Sequence, residues 1–507
     1  MTIDEIVKII KDKRDIIELN PTINDLKKIA YNPRNLVNMH EIVDTLGIHL
    51  RLDSEIVIFT DYDVDGIVGG FCLYDYLKSK GANVEVMVSN RKFGYGLSKQ
   101  EIKKLKQKET DLVITVDCGI SDNNHIKELE KFGMEVIVTD HHESSNPPDC
   151  LWVNPKVGNS YYERELSGAG VAYKLINAFE GEIVEKYLDL IAIANIADFV
   201  PLRGENRILT KLGLEKANKN PFPTLKEMMN EFDLDNLDEN AVAYQIAPSI
   251  NSVNRLGYSD LPLKILKGEN VKQNTREMML QNDKRKNEIS QAIKNLEFDI
   301  SHNIIIAKGD FKAGYTGLIA SKLKDRYNRP CLVLNGDLRG SGRSMQPLNL
   351  IETLKKEEEL FETVGGHELA SGFKLKNKEN LDKLKEFLYN YTEGLEYEYK
   401  EIDVELKDTR VLTERLLNRL DILRPFGSGN PAPLFKLKEK KLDNYKTIGK
   451  EDKHLQFTVD GKRGVWFFFN PRIELRGKLD ITFELNRDTF RGQGVQLIAK
   501  GVQNESS

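Results

Sequence analysis

The sequence predicts an α/β protein: a parallel-sheet domain joined by a long helix to a smaller α/β domain, with a β-barrel at the C-terminal end. Three observations predict this class. Short apolar runs alternate with helical patterns between residues 51 and 150, and the alternation returns after residue 300. Beyond residue 400, strand-like runs dominate. A chain of 507 residues also exceeds what one hydrophobic core usually supports, so we expect several domains.

The first α/β domain is predicted from four apolar runs that helical patterns separate. The runs cover residues 56–59, 84–88, 112–116 and 136–138, and residues 1 to about 50 before them are mostly helical in pattern. Strands in a parallel sheet read as continuous apolar runs because helices cover both faces. Alternating strands and helices therefore favour a largely parallel sheet.

The middle of the chain predicts a helical region followed by a second α/β domain. Residues 171–300 are mostly helical in pattern, and the charged, periodic stretch 282–296 is typical of a connecting helix. Residues 304–306 and 331–334 then predict strands, with a helix over 316–327 between them. The shorter length of this alternation indicates a smaller domain.

The C-terminal region predicts a small β-barrel with a basic character. Strand-like runs at 456–459, 465–469, 479–483 and 495–499 are separated by turn residues. From residue 436 to residue 500 there are 15 Lys and Arg against 9 Asp and Glu, although the whole chain carries a net charge of −5. A basic module can supply affinity for phosphates, although a solvated Lys-rich surface would have the same composition. Aromatic residues such as Trp466 and Phe468 could stack on bases, but a core position is their more common role.

Composition indicates a globular protein of a reducing compartment. Hydrophobic residues make up 40% of the chain and charged residues 30%, and no run of about 20 apolar residues predicts a membrane span. The first residues lack the pattern of a secretion signal. Four scattered cysteines suggest neither a zinc site nor a disulfide framework, so we expect a cytoplasmic protein.

Acidic residues and histidines follow three of the predicted strands. The first strand leads into Asp61, Asp63 and Asp65, the third into Asp117, and the fourth into the run Asp140-His141-His142. The carboxyl ends of parallel strands meet at one edge of a sheet. Each fragment alone would suit a turn, a helix cap or a solvated loop, and Asp61 could be only a cap. All three fragments in order predict one cluster.

Such a cluster predicts a metal site. Carboxylates packed together repel each other, and divalent cations remove the conflict. A mixed set of carboxylates and imidazoles suits Mn²⁺, with Mg²⁺ as the alternative, and the number of ligands is sufficient for two ions. Two such ions can activate a water and neutralise a phosphoryl transition state, which makes phosphoester hydrolysis the leading chemistry.

These motifs resemble those of the DHH phosphoesterase superfamily and, within it, the RecJ-like single-strand-specific exonucleases. The resemblance covers about residues 35–435. The motifs that carry it are 59–66, 116–119, 139–142, 153–155, 167–170, 194–202, 248–251, 255–257, 340–344, 365–367, 370–373 and 425–431. Residues 301–398 resemble the associated DHHA1 domain, and 425–431 resembles the segment that leads into the OB-fold of these exonucleases.

The resemblance implies roles for the residues at the strand ends. It implies metal ligation by Asp63, Asp65, Asp117, His141 and Asp198, with Asp117 between two ions and Asp61 as a further ligand or supporting group. His142 would face the scissile phosphate, and Asp140 would orient the two histidines. Asp198 ends an Ala-rich helical run and would not have been selected without the resemblance. The implied catalytic set is Asp63, Asp65, Asp117, Asp140, His141, His142 and Asp198.

The resemblance also implies a substrate-binding set. Arg343 and Ser341 would take the 5′-terminal phosphate, because Gly-rich backbone approaches phosphates closely and Arg can bind one through two hydrogen bonds. Gly366 and His367 would contact the strand, and so would Arg91, His142 and Arg255. The stretch around Arg91 is shorter than the family pattern, and Asn254 stands where a Gly is usual before Arg255.

The resulting expectation is an enzyme that removes nucleotides from single-stranded DNA in the 5′→3′ direction, with two metals, in DNA repair and recombination. The expected domains are an N-terminal helical segment (1–50), the DHH domain (51–280), a connecting helix (281–300), the DHHA1 domain (301–398) and an OB-fold (399–507). Single-stranded DNA is the expected partner, and a single-strand-binding protein or a helicase is a candidate helper. We expect a monomer that does not bind membranes.

Two rival functions stay open. A DHH enzyme acting on short RNA, cyclic dinucleotides or pyrophosphate would need no barrel, so residues 400–507 argue against it. A non-catalytic scaffold of the same superfamily would have lost metal ligands, whereas every expected ligand is present.

Overall fold

The computed structural model describes residues 1–29, 32–158, 161, 163–255, 260–395, 397, 401–449, 454–469, 475–488 and 494–504. The chain forms two compact units. The first unit comprises Ile10–Asn282 and Leu420–Ala432, and the second unit comprises Met1–Ile9, Asp283–Arg419 and Pro433–Ser507. No helix among the described residues has both the length and the apolar character needed to cross a membrane.

The first unit contains a five-stranded parallel sheet. Its strand order is β2-β1-β3-β4-β5. The elements up to this point of the chain are α1 (Ile3–Lys13), α2 (Ile23–Ile29), α3 (Met39–Arg51), β1 (Ile56–Thr60), α4 (Val64–Ser79), β2 (Val84–Val88), α5 (Lys99–Gln107), β3 (Leu112–Val116), α6 (Asn123–Lys131), β4 (Glu135–Thr139) and β5 (Leu151–Val153). The four predicted strands are confirmed, and β5 is an addition.

The sheet is buried on both faces, as its apolar runs predicted. In β1, Ile56 and Ile58 pack into one hydrophobic cluster, while Val57 and Phe59 pack into another on the opposite face. All five residues of β1 and all five of β3 are buried. The parallel register sets Thr60 beside Val116, and Val116 beside Thr139. The loops that follow β1, β3 and β4 therefore begin side by side.

The predicted helical region follows this sheet. It comprises α7 (Gly168–Glu180), α8 (Leu188–Ala197), α9 (Gly204–Lys219), α10 (Pro223–Glu231), α11 (Glu239–Ala241), α12 (Ala247–Arg255), α13 (Leu261–Leu266) and α14 (Val271–Lys294). The long helix α14 starts at Val271, well before the predicted connecting helix. Its first turns pack Val271 and Met278 into the core of the first unit. The division between the two units falls within α14.

The second unit contains a mixed sheet and a C-terminal sheet. The mixed sheet has the order β6-β7-β8-β10-β9, in which only the β6–β7 pair is parallel. Its elements are β6 (Ile305–Lys308), α15 (Thr316–Tyr327), β7 (Cys331–Leu334), β8 (Arg339–Arg343), α16 (Leu350–Lys355), β9 (Phe361–His367), β10 (Ala370–Leu375) and α17 (Glu379–Thr392). The predicted α15 and β7 are confirmed at both ends.

The C-terminal sheet has seven strands in the order β11-β12-β16-β17-β15-β14-β13. Its elements are β11 (Val404–Leu406), α18 (Glu414–Leu420), β12 (Leu434–Lys440), β13 (Asn444–Ile448), β14 (His454–Val459), β15 (Lys462–Trp466), β16 (Leu479–Arg487) and β17 (Val495–Asn504). The predicted strand 465–469 was wrong at its end, because β15 stops at Trp466. Phe468 lies beyond it and is 41% exposed, so its expected core position was also wrong.

Candidate metal centre

The carboxyl ends of β1, β3 and β4 bring the predicted acidic residues together. Asp63 caps α4, and its carboxylate accepts a hydrogen bond from the Gly66 amide. Asp65 lies in the first turn of α4 and is 1% exposed. Asp117 directly follows β3 with a positive φ of 62°, a conformation that Asp tolerates better than most residues. Three loops from neighbouring strands thus carry carboxylates to one edge of the sheet.

His141 lies at the centre of this edge. Its Nε2 atom is 3.1 Å from Asp117 Oδ1, 3.9 Å from Asp65 Oδ2 and 3.8 Å from Asp198 Oδ2. Its Nδ1 atom lies 2.9 Å from the carbonyl oxygen of Leu166, so the ring proton belongs on Nδ1. Nε2 then carries a lone pair and has no proton to donate. Burial, followed by the charge of His142, lowers the pKa of His141 to about 4, which keeps the ring neutral.

The Asp117 oxygen nearest to His141 has no donor to satisfy it. Asp117 Oδ1 is buried without a hydrogen-bond partner, although Nε2 of His141 is its near neighbour. A lone pair therefore faces carboxylate oxygens across distances of 3.1 to 3.9 Å. A bound cation, or protonation of the carboxyl groups, is needed to stabilise such a set of acceptors. These residues fit divalent metal ions.

The candidate ligands form three overlapping groups. In each group one ligand atom per residue lies within 4.8 Å of the others. The groups are Asp61, Asp63 and Asp117; Asp65, His141 and Asp198; and Asp117, His141 and His142. Asp117 and His141 each belong to two groups. This overlap suits two neighbouring ions, and Asp117 is the one carboxylate that belongs to two of the groups.

The electrostatics of the group show the cost of leaving these carboxylates without a cation. Burial raises the pKa of Asp117 well above its usual value, and the neighbouring carboxylates raise it further. Burial and the Asp198 charge do the same to the pKa of Asp65. Burial and Asp63 raise the pKa of Asp61 and that of Asp198 to about 7. Bound cations would reverse these shifts.

Asp65 and Asp117 are fixed by the start of α7. The amides of Gly168 and Ala169 donate to the two oxygens of Asp65, at 2.6 and 2.9 Å. A Cβ atom added to Gly168 would lie 2.6 Å from the Cβ atom of Asp117, so only glycine allows this approach. The α7 N-terminus therefore both orients Asp65 and packs against Asp117.

Asp140 and Tyr95 orient His142. Asp140 Oδ1 accepts from the backbone amides of His141 and His142, and lies 2.8 Å from Nδ1 of His142. The Tyr95 hydroxyl lies 2.9 Å from that Nδ1 and 2.9 Å from the Asp117 carbonyl oxygen. The His142 side chain is 45% exposed, which leaves its outer face accessible. Asp140 was expected to orient both imidazoles, but the ring of His141 is oriented by the Leu166 carbonyl instead.

In the second unit, the predicted strand-end residues share one face of the mixed sheet. Ala370 on β10, the strand between β8 and β9, pairs with Arg343 of β8 on one side and with His367 of β9 on the other. Paired residues point to the same face, and so does Ser341, two positions from Arg343. Gly365 and Gly372 lie in the same row as Ser341. Together these residues form an open surface of small residues, which we call the floor. The side chains of Arg343, Ser341 and His367 project from it.

Contacts around this floor fix the side chains of Ser341 and Arg343. The Ser341 hydroxyl lies 2.8 Å from the hydroxyl of Thr316, the first residue of α15. Arg343 donates to its neighbouring Gly342 carbonyl, and burial lowers the pKa of Arg343. Gly366 has a φ of 139°, and a Cβ atom there would lie 2.3 Å from the Ala370 carbonyl oxygen. Gly366 is therefore required by the β9–β10 pairing.

The two predicted arginines of the first unit are placed differently. Arg91 is exposed in a short 3-10 helix, and its guanidinium lies 5.6 Å from the ring centroid of Tyr62, between Asp61 and Asp63 in sequence. Arg91 is therefore anchored beside the metal centre. Arg255 ends α12, and its side chain lies outside the described residues.

Comparisons with known proteins match three stretches of the chain to domain families. Residues 55–195 match the DHH family N-terminal domain, residues 301–394 match the DHHA1 domain, and residues 402–501 match the RecJ OB domain. The single-stranded-DNA-specific exonuclease RecJ of Thermus thermophilus is 30% identical over 468 residues, which are 88% of this chain and 68% of that protein. The chain belongs to the RecJ family.

Other RecJ proteins extend the comparison. The Bacillus subtilis RecJ is 32% identical over 454 residues, and the match covers 85% of this chain but only 58% of that longer protein. The Haemophilus influenzae RecJ is 27% identical over 92% of its own length. The chain thus spans between about half and nearly all of the length of these curated RecJ relatives.

Solved RecJ structures support both the fold and the metal. The Thermus thermophilus RecJ in complex with Mn²⁺ matches 99% of this chain and 76% of its own, with a TM-score of 0.83 and 26% identity. A second exonuclease RecJ bound to manganese matches 75% of this chain with a TM-score of 0.61 and 28% identity. The RecJ fold and its use of Mn²⁺ agree with the acceptor cluster around His141.

Sequence reasoning missed three partners of the RecJ metal centre. Leu166 acts through its backbone carbonyl, which leaves no signal in the side chain. Tyr95 lies in a stretch noted only as shortened, and Ser89, whose hydroxyl donates to Asp61 at 3.0 Å, follows β2 without an acidic neighbour. A search for polar residues just after each strand would have found Ser89.

Proposed function

We propose that the chain is a metal-dependent exonuclease that hydrolyses phosphodiester bonds of single-stranded DNA. The observation that carries the proposal is the acceptor-only cluster in which Nε2 of His141 faces three carboxylates. The relatives that share this fold are named single-stranded-DNA-specific exonucleases. The proposed ligands are Asp61, Asp63, Asp65, Asp117, His141 and Asp198.

The metals, when bound, would supply an activated water and neutralise charge on the phosphoryl group. The chain's own residues supply position and proton transfer. Asp140 holds Nδ1 of His142 at 2.8 Å, which favours the tautomer with its proton on Nδ1 or the doubly protonated ring. Burial lowers the pKa of His142 and the contact with Asp140 raises it, with a net rise. The doubly protonated ring of His142 can donate from Nε2 to a phosphate oxygen or to the leaving group.

The floor formed by β8, β10 and β9 supports binding of a 5′-terminal phosphate. Arg343 offers a guanidinium, Ser341 a hydroxyl, and His367 an exposed imidazole. Small residues between them leave room for a phosphate and its sugar. A guanidinium and a hydroxyl are both donors to phosphate oxygens. The assignment of this phosphate to the 5′ end, and with it the 5′→3′ direction, is carried from the family resemblance.

A second group in the second unit supports binding of the strand itself. Arg326 of α15 lies over the Phe468 ring, 4.7 Å from its centroid. Phe467 and Phe468 are 51% and 41% exposed, and both contact His454 edge to face. Burial and the charges of Arg285, Arg326 and Lys286 lower the pKa of Lys322. Cations beside exposed aromatic rings are the pattern that binds single strands through phosphates and stacked bases.

Several further expectations remain proposals. All four cysteines are free thiols, which supports work in a reducing compartment such as the cytoplasm. Action in DNA repair and recombination, a monomeric state, and help from a single-strand-binding protein or a helicase are predictions carried from the family resemblance. The rival non-catalytic scaffold is disfavoured by the complete ligand set, and the small-substrate rival by the seven-stranded sheet.

Strand hydrolysis tests the proposal directly. Single strands carrying a 5′-phosphate and a 3′ label are incubated with Mn²⁺ or EDTA, beside duplex DNA and single-stranded RNA. We expect mononucleotides from the 5′ end in Mn²⁺, none in EDTA, and resistance of the duplex. Asp117→Asn should bind the strand without cutting it, while Asp149→Asn, at an exposed surface ion pair, should match the unchanged protein. Release from the 3′ end, or cutting that survives EDTA, would contradict the proposal.

A further inference from the structure

The 425–431 segment belongs to the first unit, although the chain on both sides of it belongs to the second. Residues 420–432 pack with Ile10–Asn282, whereas Asp283–Arg419 and Pro433–Ser507 form the other unit. The segment reads Pro425-Phe426-Gly427-Ser428-Gly429-Asn430-Pro431. Neither the metal centre nor the strand-binding groups described above use it.

Buried polar groups anchor the start of this segment. Arg207 of α9 is 3% exposed and donates to the carbonyl oxygens of Ile422, Leu423 and Arg424 at 3.0 to 3.4 Å. Glu239, 5% exposed, accepts from the Arg424 guanidinium and from the Phe426 amide. Both anchors hold the backbone that leads into the segment.

Asn430 closes the segment into a turn. It is 1% exposed, and its side-chain amide donates to the carbonyl oxygens of Leu423 and Pro425 at 2.9 and 2.8 Å. Its side-chain oxygen accepts from Arg14 at 2.9 Å. The backbones of Gly427 and Asn430 bond to each other in both directions. The tip of the turn, Ser428-Gly429, is thereby held in one place.

This tip contacts the loop that follows Asp198. The Ser428 carbonyl accepts from the Leu202 amide at 2.7 Å, and the Gly429 carbonyl accepts from Nε of Arg203 at 2.8 Å. Gly429 has a φ of 70°, and an added Cβ atom would lie 3.0 Å from Cβ of Pro201. The tip and the loop are in close contact through backbone atoms.

The turn at the start of this loop is exposed, although Val200 and Leu202 further along it are buried, at 6% and 2% exposed. Asp198 is the C-cap of α8, and the next residue, Phe199, has a φ of 57° with its side chain 73% exposed. A bulky residue with positive φ is strained and persists only where its surroundings impose it. Phe199 contributes little burial to offset that strain. The bonds to residues 202 and 203 impose the turn from its far side.

We propose that the 425–431 segment positions Asp198 for metal binding. By holding residues 201–203, the segment fixes the direction in which the chain leaves α8, and so keeps the Asp198 carboxylate 3.8 Å from Nε2 of His141. The inference rests on the proposed function only in taking Asp198 as a metal ligand. It makes Gly429 and Arg203 positioning residues that touch neither metal nor substrate.

Mn²⁺ binding to the full chain tests the proposal without any need for activity. Calorimetric titrations compare the unchanged protein with Gly429→Ala, Asp198→Ala and the double variant. We expect Gly429→Ala to weaken Mn²⁺ binding at one site about tenfold, as is typical for residues that orient a ligand. In the double variant the weakening should equal that of Asp198→Ala alone, because a mispositioned carboxylate no longer matters once it is absent.

Two controls separate positioning from general damage. Gly181→Ala places the same strain at a φ of 82° in the same unit, where an added Cβ atom meets nothing within 4 Å, and should leave Mn²⁺ affinity unchanged. Arg203→Ala removes one bond at an exposed residue, and it carries the test if Gly429→Ala does not fold. The proposal would be overturned if the folded Gly429→Ala and Arg203→Ala variants bound Mn²⁺ within twofold of the unchanged protein. It would also be overturned if the loss of affinity in the double variant were the full sum of the losses in Gly429→Ala and Asp198→Ala. If the protein binds Mn²⁺ as described but cuts no strand, the proposed function fails and this inference stands.

Discussion

His141 and Asp117 face each other as two acceptors: Nε2 of the imidazole, which carries no proton, lies 3.1 Å from Oδ1 of the carboxylate. The Leu166 carbonyl causes this arrangement by taking the proton on Nδ1. A histidine in a structural core would usually turn a donor toward a buried carboxylate. The inverted pairing marks a cation site.

Mn²⁺ should stabilise the first unit against heat. A ligand at 100 times its dissociation constant adds about 2.7 kcal/mol to the free energy of unfolding, which for a unit of this size raises the melting temperature by about 5–10 °C. Asp117→Asn should lose this shift, because it removes a proposed ligand that belongs to two of the candidate groups. In EDTA the same variant should melt above the unchanged protein, since one buried, repelled carboxylate is gone. Scanning calorimetry in Mn²⁺ and in EDTA measures both changes in melting temperature, with Asp149→Asn as the control. If Mn²⁺ raised the melting temperature of Asp117→Asn as much as that of the unchanged protein, the proposed site would be contradicted.

Asp140→Asn should slow hydrolysis without weakening metal binding. Asp140 bonds the backbone and Nδ1 of His142 but lies outside the three ligand groups. Loss of the carboxylate removes the charge that keeps a proton on His142, and we expect kcat to fall about 100-fold. The Mn²⁺ concentration for half-maximal activity should stay within about threefold. A variant that regains full kcat at high Mn²⁺ would show instead that Asp140 acts through metal affinity.

Arg343→Gln should reduce preference for a 5′-phosphate. A charge-assisted hydrogen bond contributes about 1.5–3 kcal/mol, so KM for 5′-phosphorylated strands should rise roughly 10- to 100-fold. Strands with a 5′-hydroxyl should be affected far less. The comparison uses initial rates on matched strands, with the exposed Arg410→Gln as control. If KM rose equally for strands with a 5′-phosphate and with a 5′-hydroxyl, Arg343 would not recognise the terminal phosphate.

Replacement of Phe467 and Phe468 by Ala should weaken strand binding by stacking, whereas Arg326→Gln should weaken it by charge. Stacking of a base contributes about 1–3 kcal/mol, largely independent of salt. Loss of one phosphate contact instead reduces the slope of log affinity against log salt by about one. Fluorescence anisotropy at several salt concentrations in EDTA separates the two. Phe132→Ala, an exposed phenylalanine of the first unit, is the matched control; unchanged affinity in the double Ala variant would refute the stacking role.

The burial of Glu163 predicts that the stability of the first unit depends on pH, independently of the metal. Burial and the nearby charge of Glu205 raise the pKa of Glu163 to about 7, from an ordinary 4.5. Because the folded pKa is raised, the protonated acid favours folding below pH 4.5, and this contribution is lost as the pH rises to 7. Glu163→Gln should therefore stabilise the first unit by about 1–3 kcal/mol at pH 8 and little at pH 4.5. Denaturant unfolding at the two pH values checks this, and a gain of equal size at both would contradict it.

The parts predicted from sequence are those fixed by local pattern. The strands before Asp61, Asp117 and Asp140 are predicted by their apolar runs, and the parallel sheet then brings their ends together. The helix α15 was predicted at both ends because its apolar period and flanking turns are local.

The parts that were missed depend on contacts distant in sequence. Strand β5 is three residues long and pairs only with β4, so its pattern is too short to stand out. The proton position on His141 depends on a carbonyl 25 residues away. Phe468 was predicted to lie in the core because its neighbours in sequence are apolar, although the chain leaves the sheet at Trp466. Asp198 required the family resemblance, and its loop depends on residues 428 and 429, more than 200 positions later.

The most direct test of the account is the position of manganese in crystals of the full chain grown or soaked with Mn²⁺. Anomalous difference maps recorded at the manganese edge locate the ions independently of any assay. The account predicts two peaks roughly 3.5–4 Å apart, with Asp117 between them and Nε2 of His141 bound to one. No peak at this edge of the sheet, or manganese bound only elsewhere, would contradict it.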